Sequence, residues 1–249
     1  MPPRLSHAFA KLQLEFASRC VDLGLGTSAD ALNRLTNLQR RIGFGLPNDP
    51  PSDSRWLNLL QEVSVAPHTS AAADLVMEAA TAAPPAIPEH VVHDWPTVGM
   101  FSIQIVDKVA RTHFYAEHQG DVSPFHPLKL YERRAELREV LSIVRQQNPG
   151  LSWVAGGSWM YSASAYRELF PPSHLASGVV RTDRTTFQGM SHWGQFLNFR
   201  GELREDRADE FLTRVSVWDG TNPCGLFPVP TLDVASPIKI FDDYQAAKG

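Results

Sequence analysis

Histidines are concentrated in the middle of this sequence. Seven of the nine histidines lie between His90 and His192, and the run His90-Val-Val-His93-Asp94 places three potential metal donors within five residues. Neutral imidazole transfers protons near neutral pH and is also a common metal ligand. The chain has no HExxH motif and no paired cysteine ligands, so the spacing defines no metal type. We predict no metal-binding residues, and a histidine-ligated metalloenzyme is the second hypothesis.

The segment from His113 to His126 joins a predicted strand to a long predicted helix. Strand ends and helix N-termini are places where α/β proteins bind ligands. A simpler interpretation is that Asp121 or Ser123 caps the helix and that Gly120 makes a turn. The polar residues here can bond a substrate or move a proton, and we predict catalytic roles for His113, Glu117 and His118 and binding roles for Gly120, Ser123 and His126.

Aromatic and amide residues alternate in a second segment, from Gln188 to Phe199. Such a mixture suits a pocket that stacks on a flat or apolar ligand and orients it through a few polar groups. Aromatic residues are also common in protein cores. We predict His192, Trp193 and Gln195 as substrate- or cofactor-binding residues.

The turn Gly156-Gly157-Ser158 resembles a nucleophile elbow, in which a tight glycine turn exposes a serine at the edge of a sheet. Met160 stands where that motif needs a glycine, so the match is imperfect. The favoured interpretation is that Ser158 caps the following helix while the glycines let the backbone pass close to the sheet. Ser158 and Trp159 are kept as predicted binding residues.

The amino-acid composition of the chain limits the kinds of partner that it could bind. The 249 residues carry a formal net charge of -4, with a pI near 6.1, so there is no broad basic field for a nucleic-acid backbone. No window approaches the roughly 18 apolar residues that span a bilayer, and Cys20 and Cys224 make no disulfide framework. We expect a soluble, cytoplasmic protein with a small-molecule substrate and with neither nucleic acid nor membrane as partner.

The elements that must position these residues follow from periodicity. Apolar residues at helical spacing predict a helical N-terminal region over 1–83, followed by a Pro-rich linker over 84–94. FSIQIVD and KVARTHFY predict a hairpin, Pro127 to Gln147 a long amphipathic helix, and LSWVAG a buried strand. We expect an α/β or α+β catalytic domain over 95–218, with helices covering a mixed sheet, and an irregular C-terminal tail over 219–249.

Residues 98 to about 200 resemble the acyltransferase-like domains of some bacterial GNAT-like proteins. The resemblance lies in the order strand, glycine turn, helix, strand, and in Thr112-His113-Phe114, Gly120, Ser123-Pro124, Pro149, Trp153, Ser158-Trp159-Met160 and Leu169-Phe170-Pro171-Pro172-Ser173.

This resemblance implies a GNAT-like fold and an enzyme that modifies small molecules by acyl transfer. His113 and Glu117 would be candidate general bases, and the turn from Gly120 to Ser123 would face an acyl-CoA or acyl-carrier donor. It also implies that a strand splays away from its neighbour beside Gly120. A non-catalytic ligand-binding or scaffold protein is the third hypothesis.

Overall fold

The computed structural model describes residues 5–46, 52–83, 89–115, 122–183 and 186–248. The chain forms two compact units, and each consists of two separate stretches of sequence. Unit 1 comprises Met1–Ile87 and Thr182–Val229, and unit 2 comprises Pro88–Arg181 and Pro230–Gly249. No helix in the described ranges is both long and apolar enough to cross a membrane.

Helices and strands follow one another along the chain in a mixed order. The helices are α1 (His7–Asp22), α2 (Ser28–Leu35), α3 (Leu38–Ile42), α4 (Ser54–Ser64), α5 (Thr69–Ala82), α6 (Glu89–Val92), α7 (Pro127–Gln147), α8 (Ser164–Arg167), α9 (Pro172–Ala176), α10 (Met190–Trp193), α11 (Glu205–Ser216) and α12 (Lys239–Lys248). The strands are β1 (Thr97–Val98), β2 (Phe101–Val106), β3 (Val109–Phe114), β4 (Trp153–Ser158), β5 (Val179–Val180) and β6 (Leu232–Pro237).

Four helices of unit 1, α1, α2, α4 and α5, begin at side-chain caps. The Ser6 hydroxyl accepts a hydrogen bond from the Phe9 amide at the start of α1, and Thr27 and Asp30 form a reciprocal capping box at α2. Sequence periodicity predicts one helix from Thr27 to Ile42, whereas the structure has α2 and α3. The break falls at Thr36, which is extended, and at Asn37, whose amide donates to the Gln13 side chain.

The second stretch of unit 1 supplies most of the aromatic side chains in its core. Phe16 of α1 contacts five rings from this stretch, with ring centroids 5.6 to 6.3 Å apart. These rings are Phe187, Trp193, Phe211, Trp218 and Phe227. The N-terminal helices therefore share one core with residues that follow more than 100 positions later.

Unit 2 contains a six-stranded mixed sheet in the order β1-β2-β3-β4-β6-β5. Its helices and this sheet confirm the predicted mixed α/β class. The β2/β3 hairpin turns at Asp107, whose φ is 54°. Among the described strands only β3 and β4 pair in parallel, and α7 makes the crossover that parallel neighbours require.

One face of the sheet carries the core of unit 2. Buried residues alternate with less buried ones along β3 and β6, as the period of a half-buried sheet requires, and β2 begins with three consecutive buried residues. They pack with Leu137, Val140, Leu141 and Val144 of α7, whose bounds match the predicted helix. The buried strand residues are Phe101, Ile103, Ala110, Val154 and Val234.

The structure divides the chain differently from the expected boundaries. Residues 182–218 were expected in the α/β domain, but they belong to unit 1 because their aromatic side chains complete its core. The expected irregular tail over 219–249 instead contains β6 and α12. β6 forms because Val234 and Ser236 are buried while their neighbours are exposed, which is strand periodicity.

Candidate functional site

The two parallel strands of unit 2 separate before they end. The β3/β4 ladder contains three residue pairs, from Val109 with Trp153 to Arg111 with Ala155. Both strands then continue for three more residues, to Phe114 and Ser158, paired only with their other neighbours. The carboxyl ends of parallel strands next to a crossover helix form the crevice where open α/β sheets bind ligands. We call this place the strand-end crevice.

Three hydroxyl groups lie at the base of the strand-end crevice. The Thr112 hydroxyl donates to the Ala155 carbonyl oxygen at 3.3 Å and lies 3.1 Å from the Tyr161 hydroxyl. Because Thr112 has only one proton to donate, the Tyr161 hydroxyl donates to Thr112 Oγ1. Tyr166 in turn bonds to Tyr161. The result is a directional chain of hydrogen bonds that ends on β4.

Burial keeps these phenols protonated. It raises the pKa of Tyr161 to about 12 and the pKa of Tyr166 well above its ordinary value, because a phenolate in this apolar surrounding would lose its hydration. The ring of Tyr166 also contacts Phe114 of β3 and Phe125, which precedes α7. The chain of hydroxyls and these rings hold the end of β3, the start of α7 and the region after β4 together.

Glycine at position 156 is required by this arrangement. A Cβ built there would overlap the Tyr161 hydroxyl and come within 2.9 Å of Thr112 Oγ1. The phenol can lie against β4 only because position 156 has no side chain. The sequence predicts that backbone passes close to the sheet at these glycines, whereas the groups that lie closest to Gly156 in the structure are the side chains of Tyr161 and Thr112.

Five of the predicted site residues lie in unit 2 and near its strand ends. His113 is the second-last residue of β3, Ser158 is the last residue of β4 and Trp159 follows it, while Ser123 and His126 precede α7. The predicted residues Glu117, His118 and Gly120 lie outside the described residues.

Three of these polar side chains have local hydrogen bonds to backbone amides. Ser158 Oγ accepts from the Met160 amide at 3.2 Å, Ser123 Oγ from the Phe125 amide at 3.2 Å, and His126 Nδ1 from the Leu128 amide at 3.3 Å. Ser158 thus caps the short 3-10 turn Trp159–Ser162, as the favoured interpretation of that motif predicts. The cap of α7 is His126, rather than Asp121 or Ser123.

The other three predicted residues lie in unit 1, where they are buried. The Gln195 amide group accepts from the Val229 amide at 2.7 Å and donates to the carbonyl oxygens of His192 and Val229. The Trp193 indole donates to the Phe187 carbonyl oxygen at 2.7 Å. His192 is packed between the rings of Phe187 and Phe227. In the structure these side chains hold together the core of unit 1.

Several residues near His113 were not predicted from the sequence. Trp95 lies beside the His113 ring with centroids 4.6 Å apart, and Tyr115 lies 6.3 Å from it. Thr112 and Tyr161 form the hydroxyl chain described above. The enrichment of tryptophan and tyrosine between Trp95 and Trp193 was a signal for them, but it does not distinguish a ligand site from a core.

No metal centre is formed by the part of the chain that the structure describes, since no three histidine, cysteine, aspartate or glutamate side chains there could hold an ion. In comparisons with known proteins, no family model, no curated protein and no solved structure matches the chain.

Proposed function

We propose that the protein is an enzyme that modifies small molecules by acyl transfer, with an acyl-CoA or acyl-carrier donor bound in the strand-end crevice. The observation that carries this proposal is the early end of the β3/β4 ladder. A strand that splays from its parallel neighbour is the feature that the GNAT resemblance requires for donor binding. The crossover from β3 through α7 to β4 also follows the order of elements in that resemblance.

The chemistry of the donor suits such a crevice. Both CoA and acyl carriers present the acyl group on an extended arm that contains amides. Residues 112–114 of β3 and 156–158 of β4 have no ladder with each other, so their facing edges offer backbone groups to an inserted chain in the manner of an added strand. The Thr112 and Tyr161 hydroxyls mark the inner end of this space.

His113 is the described residue best placed to act as the general base. It is half-buried and lies one residue before the end of β3. In the proposed reaction His113 accepts the proton from the acceptor's attacking nitrogen or oxygen, and a new bond forms to the acyl carbon. The donor sulfur leaves as a thiolate with the electrons of the broken C–S bond and then takes the proton from His113, which gives the free thiol and the neutral imidazole. Glu117 and His118 stay proposed as further catalytic residues, on sequence grounds.

Binding of the donor is tested first, with CoA itself, because every acyl-CoA contains it. We expect saturable binding of CoA to the full chain by isothermal titration calorimetry. We then expect acceptor-dependent release of free thiol from acetyl-CoA, and His113→Ala should lower this rate by about 100-fold or more. The matched control is His7→Ala, since His7 lies on α1 of unit 1 and pairs with Asp74.

Two results would contradict the proposal. One is the absence of binding by both CoA and pantetheine, which together represent the two donor classes. The other is a rate of thiol release that His113→Ala leaves at the level of His7→Ala, with both variants showing the circular dichroism of the native chain.

A further inference from the structure

A continuous group of aromatic and imidazole rings lies beside His113 in unit 2. His93 stacks on Trp95 with ring centroids 5.4 Å apart and an interplanar angle of 19°. Trp95 contacts His113 at 4.6 Å, and Tyr115 contacts His90 at 4.4 Å. His113 and Tyr115 are 6.3 Å apart and also stacked. We call these five residues the ring platform.

The ring platform lies on the sheet face opposite the core of unit 2. Successive residues of a strand point to opposite faces, and Thr112 and Phe114 face the core through Tyr161 and Tyr166. His113 therefore faces away from it. Among the described residues, neither hydrophobic core includes Trp95 or Tyr115, so packing of a core does not account for these rings.

Exposure differs across the ring platform in a way that suits a ligand. Trp95, His113, Tyr115 and His90 are half-buried, while His93 is exposed. An exposed imidazole that stacks on an indole covers the surface a planar ligand would use. His93 therefore stands where such a ligand would lie on Trp95.

The ring platform suits a planar ligand that carries a hydrogen-bonding group. Nδ1 of His90 is buried and has no hydrogen-bond partner among the described residues, so it can bond to a ligand group. Aromatic walls with a few polar groups are typical of small-molecule sites.

We infer that the ring platform binds the acceptor of the proposed acyl transfer, and that this acceptor is a planar aromatic or heteroaromatic molecule with an amine or hydroxyl group. The ligand lies on Trp95 in place of the His93 ring, with its nucleophilic group toward His113. This inference rests on the proposed function for the role of His113, whereas binding to the platform does not require it.

The test measures binding of 6-aminoquinoline to the full chain by equilibrium dialysis, without any acyl donor. Cyclohexylamine is the saturated comparison and should bind at least tenfold more weakly. Trp95→Leu should weaken binding of 6-aminoquinoline about tenfold or more, and Trp95→Phe should restore part of it. The matched control is Trp153→Leu, because Trp153 is 45% exposed and lies at the amino end of β4.

The variant His93→Ala tests most directly whether the ligand lies on Trp95 in place of the His93 ring. Removal of the competing ring should tighten binding several-fold, because the ligand no longer has to displace the imidazole. Equal affinities for Trp95→Leu and Trp153→Leu, or equal binding of the saturated amine, would overturn the inference. So would weaker binding by His93→Ala.

The outcomes separate this inference from the proposed function. If acyl transfer occurs to aliphatic amines but 6-aminoquinoline does not bind, only the ring platform inference fails. If 6-aminoquinoline binds through Trp95 but neither CoA nor pantetheine binds, only the proposed function fails.

Discussion

Tyr161 and Gly156 depend on each other. We expect Gly156→Ala to destabilise unit 2 by about 1 to 3 kcal/mol, because its methyl group would overlap the Tyr161 hydroxyl and force the phenol away from Thr112. Urea unfolding measures this change. Gly150→Ala is the matched control, since no atom lies within 4 Å of a Cβ at that position.

A second variant shows whether the overlap is the cause. Tyr161→Phe removes the overlapping oxygen, so Gly156→Ala should cost less in a Tyr161→Phe background than alone. Equal costs in the two backgrounds would show that the Tyr161 hydroxyl does not constrain position 156.

His174 makes stability depend on pH. Its side chain is fully buried, Nδ1 lies 2.7 Å from Ser236 Oγ, and the rings of Phe170, Phe241 and Tyr161 surround it. Burial lowers the pKa of His174 from 6.5 to about 4, because the charged imidazolium would be desolvated there.

Between these two pKa values the unfolded chain binds the proton and the folded chain does not. The stability is therefore complete above about pH 6.5 and falls as the pH drops toward 4, by up to about 3 kcal/mol. Urea unfolding between about pH 4.5 and 7.5 measures the slope. In His174→Phe the stability should depend less steeply on pH, because the His174 imidazole is gone, whereas His7→Ala should keep the pH dependence of the native chain. The same pH dependence in the native chain and in His174→Phe would show that His174 is not the titrating group.

The candidate site could be predicted only where its contacts are local. The cap formed by Ser158 involves the Met160 amide two residues away, so the sequence around it predicts the role. The ring platform joins Trp95 to His113, residues from different elements whose contact depends on the folded sheet. Periodicity alone cannot reveal that contact.

β6 connects β5 to the rest of the sheet. β6 lies between β4 and β5 and pairs with both. Val234 is buried in the core of unit 2, so Val234→Asp should destabilise the unit by at least about 3 kcal/mol, since a charge would be buried without a partner. Thermal unfolding followed by circular dichroism measures the loss.

Ala235→Asp is the matched control for Val234→Asp, because it places the same charge on the exposed face of β6. Ala235 is the next residue of β6 and is exposed, so this variant should change stability by no more than about 0.5 kcal/mol. Similar losses for the two variants would mean that β6 does not present alternate residues to the core.

The long helix α7 and the β2/β3 hairpin were predicted from the sequence, whereas β6 was not. The 21 residues of α7 give nearly six helical turns, and their bounds match the prediction. β6 has six residues, and its pairing partner β4 lies about 70 residues earlier. Pro230 before β6 and Pro237 at its end favour a turn. The pairing with β4 that outweighs this preference cannot be read from the local sequence.

At the scale of the whole molecule, neither unit is a continuous segment. A fragment of residues 1–87 lacks the five rings that Phe16 contacts. We expect it to show no cooperative thermal transition, whereas the full chain unfolds cooperatively under the same conditions. A cooperative transition of the fragment would show that the N-terminal helices form a sufficient core by themselves.

The sheet order also means that β4 is synthesised well before its partner β6. β4 leaves the ribosome about 70 residues before β6, which corresponds to roughly 4 to 15 seconds at about 5 to 20 residues per second. During that interval the edge of β4 that will receive β6 has no partner from its own chain, and an unpaired edge can pair with another nascent chain. Until β6 is synthesised, the unpaired edge of β4 is therefore a site of aggregation. Slower translation between β4 and β6 would lengthen this interval and increase the risk.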